Sequence, residues 1–284
     1  MFEGILGHES IQTFLLRLAE KERIPHALLF AGPEGVGKRT LARSFAAHLL
    51  EAPFARLESG HPDFFSFAPE GKSGHHSIEE IRILTDRVYQ APFEAKRRVF
   101  LIEDAERMQP AAANALLKTL EEPLESSHLI LLTSRPDDLL PTIHSRLMKI
   151  LFHPLPKPLL IELLKRRSLS PDLAEWADGS IGKAIEIAEH PEIESARKLI
   201  FALLEKKSAY PEIALGIDQI ERLLDSEDPL IKSRRIQHLL AMVAGFYRDL
   251  EKRPKNWDDL LEKVRLGLDR NLKFSSCLEF LLLS

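Results

Sequence analysis

The sequence predicts an α/β fold in its first half and an all-helical second half. Five short apolar runs, several of them apolar throughout, predict strands that are buried on both faces. Helical stretches separate these runs, and such alternation is typical of a parallel sheet covered by helices on both sides. After His153, prolines interrupt segment 154–158, and no strand pattern of comparable strength follows. The predicted strands are Ala27–Ala31, Phe64–Phe67, Val99–Ile102, Leu129–Leu132 and Met148–Phe152.

Three helices are expected among these strands. One begins after Ser77, because Glu80 three positions later completes a capping box and the apolar residues that follow share one face. Another, Ala111–Glu122, is rich in Ala and Leu and ends at Pro123. The third, Thr40–Leu50, is amphipathic and follows a glycine-rich segment.

The second half divides by its pattern into short helices and a longer bundle. Helices are predicted at Leu159–Arg166 and after Ser170 and Ser180, whose side chains suit helix N-caps. From about Ile193 onwards, apolar residues recur at the three-to-four spacing of a helical bundle. One such series is Ile236, Leu239, Leu240, Val243 and Phe246. We therefore predict three domains, at residues 1–154, 155–191 and 192–284.

Composition and charge narrow the functional classes. Apolar residues make up 44% and charged residues 29% of the 284-residue chain, as in globular proteins. The net charge of −4 supplies no global attraction to nucleic acid, so DNA contacts must come from local patches or partner subunits. The sequence has neither a long apolar run nor a signal segment, which predicts a cytoplasmic protein without membrane contact. The lone Cys277 excludes an internal disulfide and a multi-cysteine zinc site.

Residues 32–38 have the pattern of a phosphate-binding loop. Gly32, Gly35, Gly37 and Lys38 follow a predicted strand and precede an amphipathic helix, which is the context that such a loop requires. Glycines let backbone N–H groups point at phosphate oxygens, the helix N-terminus adds positive potential, and the lysine reaches the β- and γ-phosphates. We therefore expect ATP or ADP as the ligand.

Two departures argue against catalysis at this loop. Arg39 stands where a Ser or Thr hydroxyl would bind Mg²⁺, and Thr40 lies about 100° further round the helix, which should turn its hydroxyl away. After the third strand, Glu103 and Asp104 reverse the aspartate-then-glutamate order of working ATPases of this layout. The departures favour nucleotide retention without turnover over productive Mg²⁺-nucleotide binding.

The same departures suggest a compensating ion pair. With the metal-binding hydroxyl lost, the Arg39 guanidinium is expected to bind Glu103 or Asp104 and to fill the Mg²⁺ position. A plainer alternative is that Asp104 only caps the turn that follows it.

The residues from Arg98 to Pro123, together with Leu140–Arg146, closely resemble bacterial clamp-loader subunits of the AAA+ family, and residues 26–32 fit the same pattern. The likeness is strong over the first 154 residues and moderate at Gly179–Ile185. In the C-terminal bundle it is limited to length, helical character and residues 271–273. The resemblance implies an AAA+ P-loop core with a parallel sheet, a small helical lid and an all-α C-terminal collar.

Within this family, the departures at Arg39 and Glu103 favour a δ′-type subunit over the ATP-hydrolysing γ/τ type. The resemblance implies that Ser145 and Arg146 match a Ser-Arg-Cys motif that projects an arginine finger into the ATP site of an adjacent subunit, although Leu147 replaces the cysteine. Such a subunit would assemble with γ/τ and δ subunits. Through the complex it would act on the sliding clamp and primer-template DNA.

Further positions match the family less well. Thr133, Ser134 and Arg135 lie where the family has its first sensor residues, with Arg135 in place of the more usual asparagine or aspartate, and Lys183 lies one place beyond the expected second sensor arginine. Both are equally consistent with solvated surface residues.

Zinc is not expected. The family's bacterial members usually carry a four-cysteine zinc module, which interval Glu51–Gly60 lacks. His61, His75 and His76 are poor substitutes, because adjacent histidines face different directions and too few ligands remain.

Other functions remain open at this point. The chain is alternatively an active ATPase of the γ/τ type, a free-standing AAA+ helicase loader or remodeller, or a scaffold in which Arg146 has no role in catalysis. ATP hydrolysis by the isolated chain, self-assembly into a hexamer, and an Arg146→Ala variant without effect would favour these three in turn.

Overall fold

The computed structural model describes residues 2–21, 24–69, 74–206, 210–226 and 273–283, together with residues 232, 235, 236, 239, 240, 259 and 262–264. The chain forms two compact units. Unit 1 comprises Met1–Leu163 and Gly179–Gly182, and unit 2 comprises Leu164–Asp178 and Lys183–Ser284. The three-domain division stays a prediction.

Unit 1 is built on a five-stranded parallel sheet. Its strands are β1 (Ala27–Ala31), β2 (Phe64–Phe67), β3 (Arg98–Ile102), β4 (Ser127–Thr133) and β5 (Met148–Leu151). They lie in the order β2-β3-β4-β1-β5. The three central strands are buried along their whole length, whereas β2 and β5 at the edges are partly exposed. The predicted α/β fold with a parallel sheet is therefore confirmed, and the continuous apolar runs belong to strands with two covered faces.

Helices connect the strands and recur in the described residues of the second half of the chain. In the continuously described ranges the α-helices are α1 (Glu9–Glu20), α2 (Lys38–Leu49), α3 (Phe54–Ser59), α4 (Ile78–Val88), α5 (Pro110–Glu121), α6 (Pro141–His144), α7 (Lys157–Arg166), α8 (Ile181–Glu189), α9 (Pro191–Lys206), α10 (Tyr210–Leu224) and a further helix at Phe274–Leu283. Short 3₁₀ turns occur at Ala105–Arg107, Pro136–Asp138 and Pro171–Glu175. Within the described ranges, no helix combines the length and the apolar character needed to cross a bilayer.

Two hydrophobic layers enclose the sheet, because successive strand residues point to opposite faces. Leu28 and Phe30 of β1 pack on one face with the buried residues of α1 and α2. Leu29 of β1 and Phe100 of β3 pack on the other face with α4 and α5. Because the strands are parallel, all their carboxyl ends lie along one side of the sheet, which we call the carboxyl edge. Their amino ends lie along the opposite side, which we call the amino edge.

The Ser77 half of the capping box predicted for α4 is confirmed, whereas the Glu80 carboxylate lies 3.1 Å from His76 Nδ1 instead of bonding the Ser77 N–H. Ser77 is the N-cap, and its hydroxyl oxygen accepts a hydrogen bond from the N–H of Glu80 at 3.1 Å. Ile81, Leu84 and Val88 form the buried face of this helix. The local sequence thus fixes both the start of α4 and the face that it buries.

Some element ends differ from the prediction by one or two residues. Helix α2 begins at Lys38 instead of Thr40, and α5 begins at Pro110, since proline suits the first helical turn. Strand β5 ends at Leu151, so the prediction that Phe152 belongs to it was wrong, although the Phe152 N–H still donates to the carbonyl of Ala31 at 2.7 Å.

Unit 2 is helical wherever it has regular structure among the described residues. Its core includes Ile193, Ile200 and Ile217, with Ile236, Leu239 and Leu240 of the predicted bundle series. Trp176 packs against this core, and the Arg197 guanidinium carbon lies 4.0 Å from the Trp176 ring centroid. The other members of the series, Val243 and Phe246, lie outside the described residues, as do residues 271 and 272.

Candidate nucleotide site and arginine edge

The loop between β1 and α2 keeps a backbone geometry suited to phosphate. Gly35 and Gly37 have φ values of 73° and 105°, in the left-handed region that favours glycine. Gly37 is the N-cap of α2, so the first N–H groups of the helix face an incoming anion. The loop packs closely on segment 179–182, where the Gly182 N–H donates to the Gly35 carbonyl at 3.0 Å. A Cβ at Gly182 would lie 2.7 Å from the Gly35 Cα, which explains the glycine there.

Lys38 is positioned to serve this loop. Its Nζ donates to the carbonyls of Gly32 and Pro33 at 2.6 and 2.7 Å. Burial lowers the pKa of Lys38, and nearby carboxylates, led by Glu106, offset part of that effect. The glycine backbone and this lysine fit the phosphates of ATP or ADP, because phosphate oxygens could replace the two carbonyl acceptors.

Arg39 pairs with Glu103, the first carboxylate after β3. This is one of the two pairings that the sequence predicted. The Arg39 Nε lies 3.0 Å from Glu103 Oε1, and the Ser66 hydroxyl donates to the same oxygen at 3.2 Å. Burial raises the pKa of Glu103, and the positive charge of Arg39 counteracts that increase. This arrangement does not fit Mg²⁺ in its usual place, since the carboxylate that would approach the metal already binds a guanidinium.

Asp104 and Thr40 are the two other polar residues predicted at this loop. Asp104 has a left-handed backbone with φ of 46°, and its side chain makes no capping hydrogen bond to the turn that follows. The alternative that Asp104 serves only as a cap is therefore wrong. Asp104 Oδ2 lies 4.0 Å from Arg107 Nε, and the Thr40 residue is exposed.

Glu106 is a site residue that sequence reasoning missed. Its Oε1 accepts hydrogen bonds from the backbone N–H and the hydroxyl of Ser134, at 3.1 and 2.6 Å. Burial would raise the pKa of Glu106, but the hydrogen bonds from Ser134 and its neighbours outweigh it and lower that pKa. Because β3 and β4 are adjacent and parallel, residues that follow them meet at the carboxyl edge. Strand adjacency was the signal that could have found this contact.

The histidines have structural contacts. His76 is fully buried, with Nε2 at 2.6 Å from the Glu103 carbonyl and Nδ1 at 3.1 Å from Glu80 Oε2. Exposed His75 contacts the carbonyl of Arg107 instead, so the two rings face different directions. Among the residues that the structure describes, no His, Cys, Asp and Glu side chains group as a metal site would require.

Lys183 belongs to unit 2. There its Nζ lies 3.6 Å from Asp178 Oδ2. The structure of unit 2 by itself gives Lys183 a local ion pair, and its assignment to a sensor position stays a prediction.

Arg146 lies at the other edge of the sheet, two residues before β5 begins. Its Nη2 donates to Glu121 Oε1 at 2.6 Å, and its Nη1 donates to the Thr142 carbonyl at 2.7 Å and the Ser145 hydroxyl at 3.2 Å. Met148, the first residue of β5, pairs in parallel with Leu28 of β1. The phosphate loop follows the carboxyl end of β1, so β1 itself, about 16 Å long at 3.3 Å per residue, separates the two sites.

Comparison with known sequences identifies related replication proteins. A family model described as DNA polymerase III, delta subunit, matches residues 7–156. The DNA polymerase III subunit delta′ of Pseudomonas aeruginosa is 38% identical over 125 residues, which cover 39% of this chain and 38% of that protein. The gamma/tau subunit of Mycobacterium tuberculosis is 34% identical over 134 residues, covering 43% and 23%. The matched region thus spans well under half the length of these relatives.

Solved structures share the fold. A DNA polymerase III gamma subunit-related protein of Thermotoga maritima matches with a TM-score of 0.59 and 22% identity, over 94% of this chain and 97% of that one. The RuvB Holliday junction branch migration motor of the same organism gives 0.50 and 19%, over 86% and 78%. At these identities the likeness shows an AAA+ fold and no more.

Proposed function

The chain belongs to the family described as DNA polymerase III, delta subunit, whose model covers more than half of it, and we propose that it is a clamp-loader subunit of the δ′ type. Its proposed role is to supply the Arg146 guanidinium to the ATP site of a neighbouring subunit while hydrolysing no ATP of its own. The neighbours would be γ/τ and δ subunits, and the assembled complex would load a sliding clamp at primer-template DNA.

The position of Arg146 is the observation that carries this proposal. The guanidinium lies at the amino edge of the sheet, while the phosphate loop of the same chain lies at the carboxyl edge. An arginine in that place cannot reach its own nucleotide site. It is 35% exposed, so a second molecule that docks on this edge could bind it.

The ion pair at the phosphate loop supports the proposal that this chain hydrolyses no ATP. Phosphoryl transfer needs a metal ion between the β- and γ-phosphates and a positioned water. Arg39 brings a fixed positive charge to the Glu103 carboxylate, and Asp104 follows with a shorter side chain than the glutamate that would orient water. The loop keeps the glycine backbone and the lysine that bind phosphate. It lacks the ligands for the metal ion and the water that hydrolysis requires.

Arg146 could stabilise charge in the neighbour's reaction. As the γ-phosphoryl group transfers, negative charge spreads over its oxygens, and a guanidinium that donates to them lowers the barrier. In GTPases, such arginines raise the rate by about 10³- to 10⁵-fold. A subunit that hydrolyses no ATP itself would in this way control ATP hydrolysis in the neighbouring subunit.

Reconstitution of the complex tests the proposal. ATP hydrolysis should be measured with the wild-type chain, with Arg146→Ala, and with Lys149→Ala as a control for a nearby exposed positive charge. We expect Arg146→Ala to lower kcat by about 10³-fold or more, with the complex still assembled, and Lys149→Ala to retain the wild-type rate. Full activity of an assembled Arg146→Ala complex would rule out the arginine-finger role.

An active ATPase of the γ/τ type is the second candidate. The likeness to gamma/tau subunits and the preserved Gly35, Gly37 and Lys38 geometry favour it. That candidate predicts hydrolysis by the isolated chain that disappears in Lys38→Ala. Our proposal predicts no hydrolysis by either form.

A further inference from the structure

Arg146 is held in place by its own chain. Its Nη2 donates to Glu121, and its Nη1 donates to Thr142 and Ser145. The contact to Glu121 at 2.6 Å is the shortest of the three and joins opposite charges, so it is the strongest restraint.

These contacts leave part of the guanidinium available. Arginine carries five N–H bonds, and three are used here. Among the described residues, no partner accepts from Nε or from the second N–H of Nη2. Glu121 and a phosphate oxygen could therefore bind Arg146 at the same time, so Glu121 need not be displaced when a neighbour docks.

From this geometry we propose that Glu121 is the positioning residue for Arg146. It presets the guanidinium so that its remaining N–H groups face the neighbour's nucleotide. This inference rests on the proposed arginine-finger role and assigns a function to Glu121, which lies in the clamp-loader-like run Arg98–Pro123 but had no predicted role.

The place of Glu121 in its helix supports a role outside the helix itself. Glu121 is the last residue of α5, where a negative charge meets the negative end of the helix dipole. Such a placement is unfavourable for the helix itself, and the Arg146 guanidinium supplies an opposite charge to Glu121 from outside the helix.

Glu122 offers a matched control. It follows Glu121 directly, is exposed at the C-cap of α5, and has the same charge. The described structure records no contact between Glu122 and Arg146. A change in net charge alone would affect both variants equally.

The first test is ATP hydrolysis by the reconstituted complex carrying Glu121→Gln or Glu122→Gln. We expect Glu121→Gln to lower kcat by about tenfold, since small misplacements of a catalytic group cost one to two orders of magnitude. KM for ATP should stay unchanged, because the proposed contact acts on charge that develops only in the transition state. Glu122→Gln should match wild type, and Glu121→Asp, which keeps the charge, should recover part of the rate. An unchanged or higher rate with Glu121→Gln overturns the inference, the higher rate indicating that Glu121 restrains the finger instead of positioning it.

A double variant separates this inference from the function on which it rests. If Glu121 acts through Arg146, the rate of Glu121→Gln with Arg146→Ala equals that of Arg146→Ala alone. If the two losses multiply, Glu121 acts elsewhere and the inference fails while the arginine finger stands. If Arg146→Ala alone has no effect, the proposed function fails.

NMR of the isolated chain gives a readout that does not depend on activity. Rotation about the Nε–Cζ bond of Arg146 should be slow in wild type and in Glu122→Gln, and faster in Glu121→Gln. Equal rotation rates in all three proteins would contradict the positioning role even if activity fell. Thermal unfolding of each variant shows whether the fold is retained.

Discussion

Two arginine–glutamate pairs lie at opposite edges of one sheet, and their surroundings give them different consequences. At the carboxyl edge, Arg39 meets Glu103, whose side chain is 13% exposed and also accepts from Ser66. At the amino edge, Arg146 meets Glu121, whose side chain is 50% exposed. In the inner pair, at the carboxyl edge, Arg39 binds the Glu103 carboxylate that an ATPase would use to hold its metal. The outer pair, at the amino edge, holds a guanidinium away from its own phosphate loop. Arg39 is the more exposed arginine, at 59% against 35% for Arg146, so the two pairs differ in the burial of their carboxylates.

The comparison teaches that burial of the carboxylate decides what such a pair does. A mostly buried carboxylate that loses its cation keeps a desolvation cost, so Glu103 and Arg39 depend on each other. An exposed pair is worth little to stability because water competes for both charges. The Arg146–Glu121 pair can therefore position a guanidinium while adding little to stability. The Arg39–Glu103 pair instead neutralises a mostly buried carboxylate.

The largest difference between the edges should appear in metal dependence. Arg39→Thr restores a hydroxyl after the lysine and releases Glu103, so Mg²⁺ gains both ligands. We expect Mg²⁺ to tighten binding of a fluorescent ATP analogue by about tenfold in this variant, in line with the usual effect of altered metal surroundings, and to change little in wild type. Fluorescence titration with and without EDTA measures it.

Arg146→Thr is the control for that titration, because it removes a guanidinium from the other edge. It should bind the analogue as wild type does. The proposed difference between the two pairs would be wrong if the wild-type chain already required Mg²⁺ to bind the analogue. It would also be wrong if Mg²⁺ did not change the affinity of Arg39→Thr for the analogue.

Stability should separate the pairs by a smaller amount. Arg39→Met leaves Glu103 without its cation and should lower the free energy of unfolding by about 1–2 kcal/mol. Arg146→Met breaks an exposed pair and should cost less than about 1 kcal/mol. Urea denaturation followed by circular dichroism compares them. Equal losses would show that burial of the carboxylate does not distinguish the two edges.

The smallest expected effect concerns pH at the inner edge. The folded-state pKa of Glu103 is raised above its ordinary 4.5, so its contribution to stability is full below pH 4.5 and is lost as pH rises through the folded pKa. The pKa of Glu106 is lowered, so its contribution is present above pH 4.5 and is lost as pH falls through the folded pKa.

Unfolding at several pH values between 3 and 7 tests these signs, within about two units of the carboxyl pKa range. Relative to wild type, Glu103→Gln should become more stable as pH rises, and Glu106→Gln should become less stable. Parallel profiles for the two variants would show that Ser134 and Arg39 do not set the charge balance as described.

Much of unit 1 could be predicted because its signals are local. The central strands carry continuous apolar runs, the Ser77 N-cap marks the start of α4, and the phosphate loop has a fixed spacing. The pairing of Arg39 with Glu103 was also accessible, since a missing metal ligand and two carboxylates imply a cation in that place.

The remaining contacts depend on tertiary structure. Glu106 meets Ser134 across 28 positions, and Arg146 meets Glu121 across 25, because neighbouring strands and helix ends bring them together. Neither pair has a characteristic spacing. The roles of Ser134 and Lys183 as sensors, and of Arg146 as a finger, stay predictions for the same reason: they require a nucleotide or a second chain.

ATP hydrolysis, measured on the chain alone and then on the complex with and without Arg146→Ala, tests the central claim most directly. The account predicts no hydrolysis by the chain alone, and in the complex a rate that collapses when Arg146 is removed. Hydrolysis by the chain alone that Lys38→Ala abolishes, or an assembled Arg146→Ala complex that works at the wild-type rate, would contradict it.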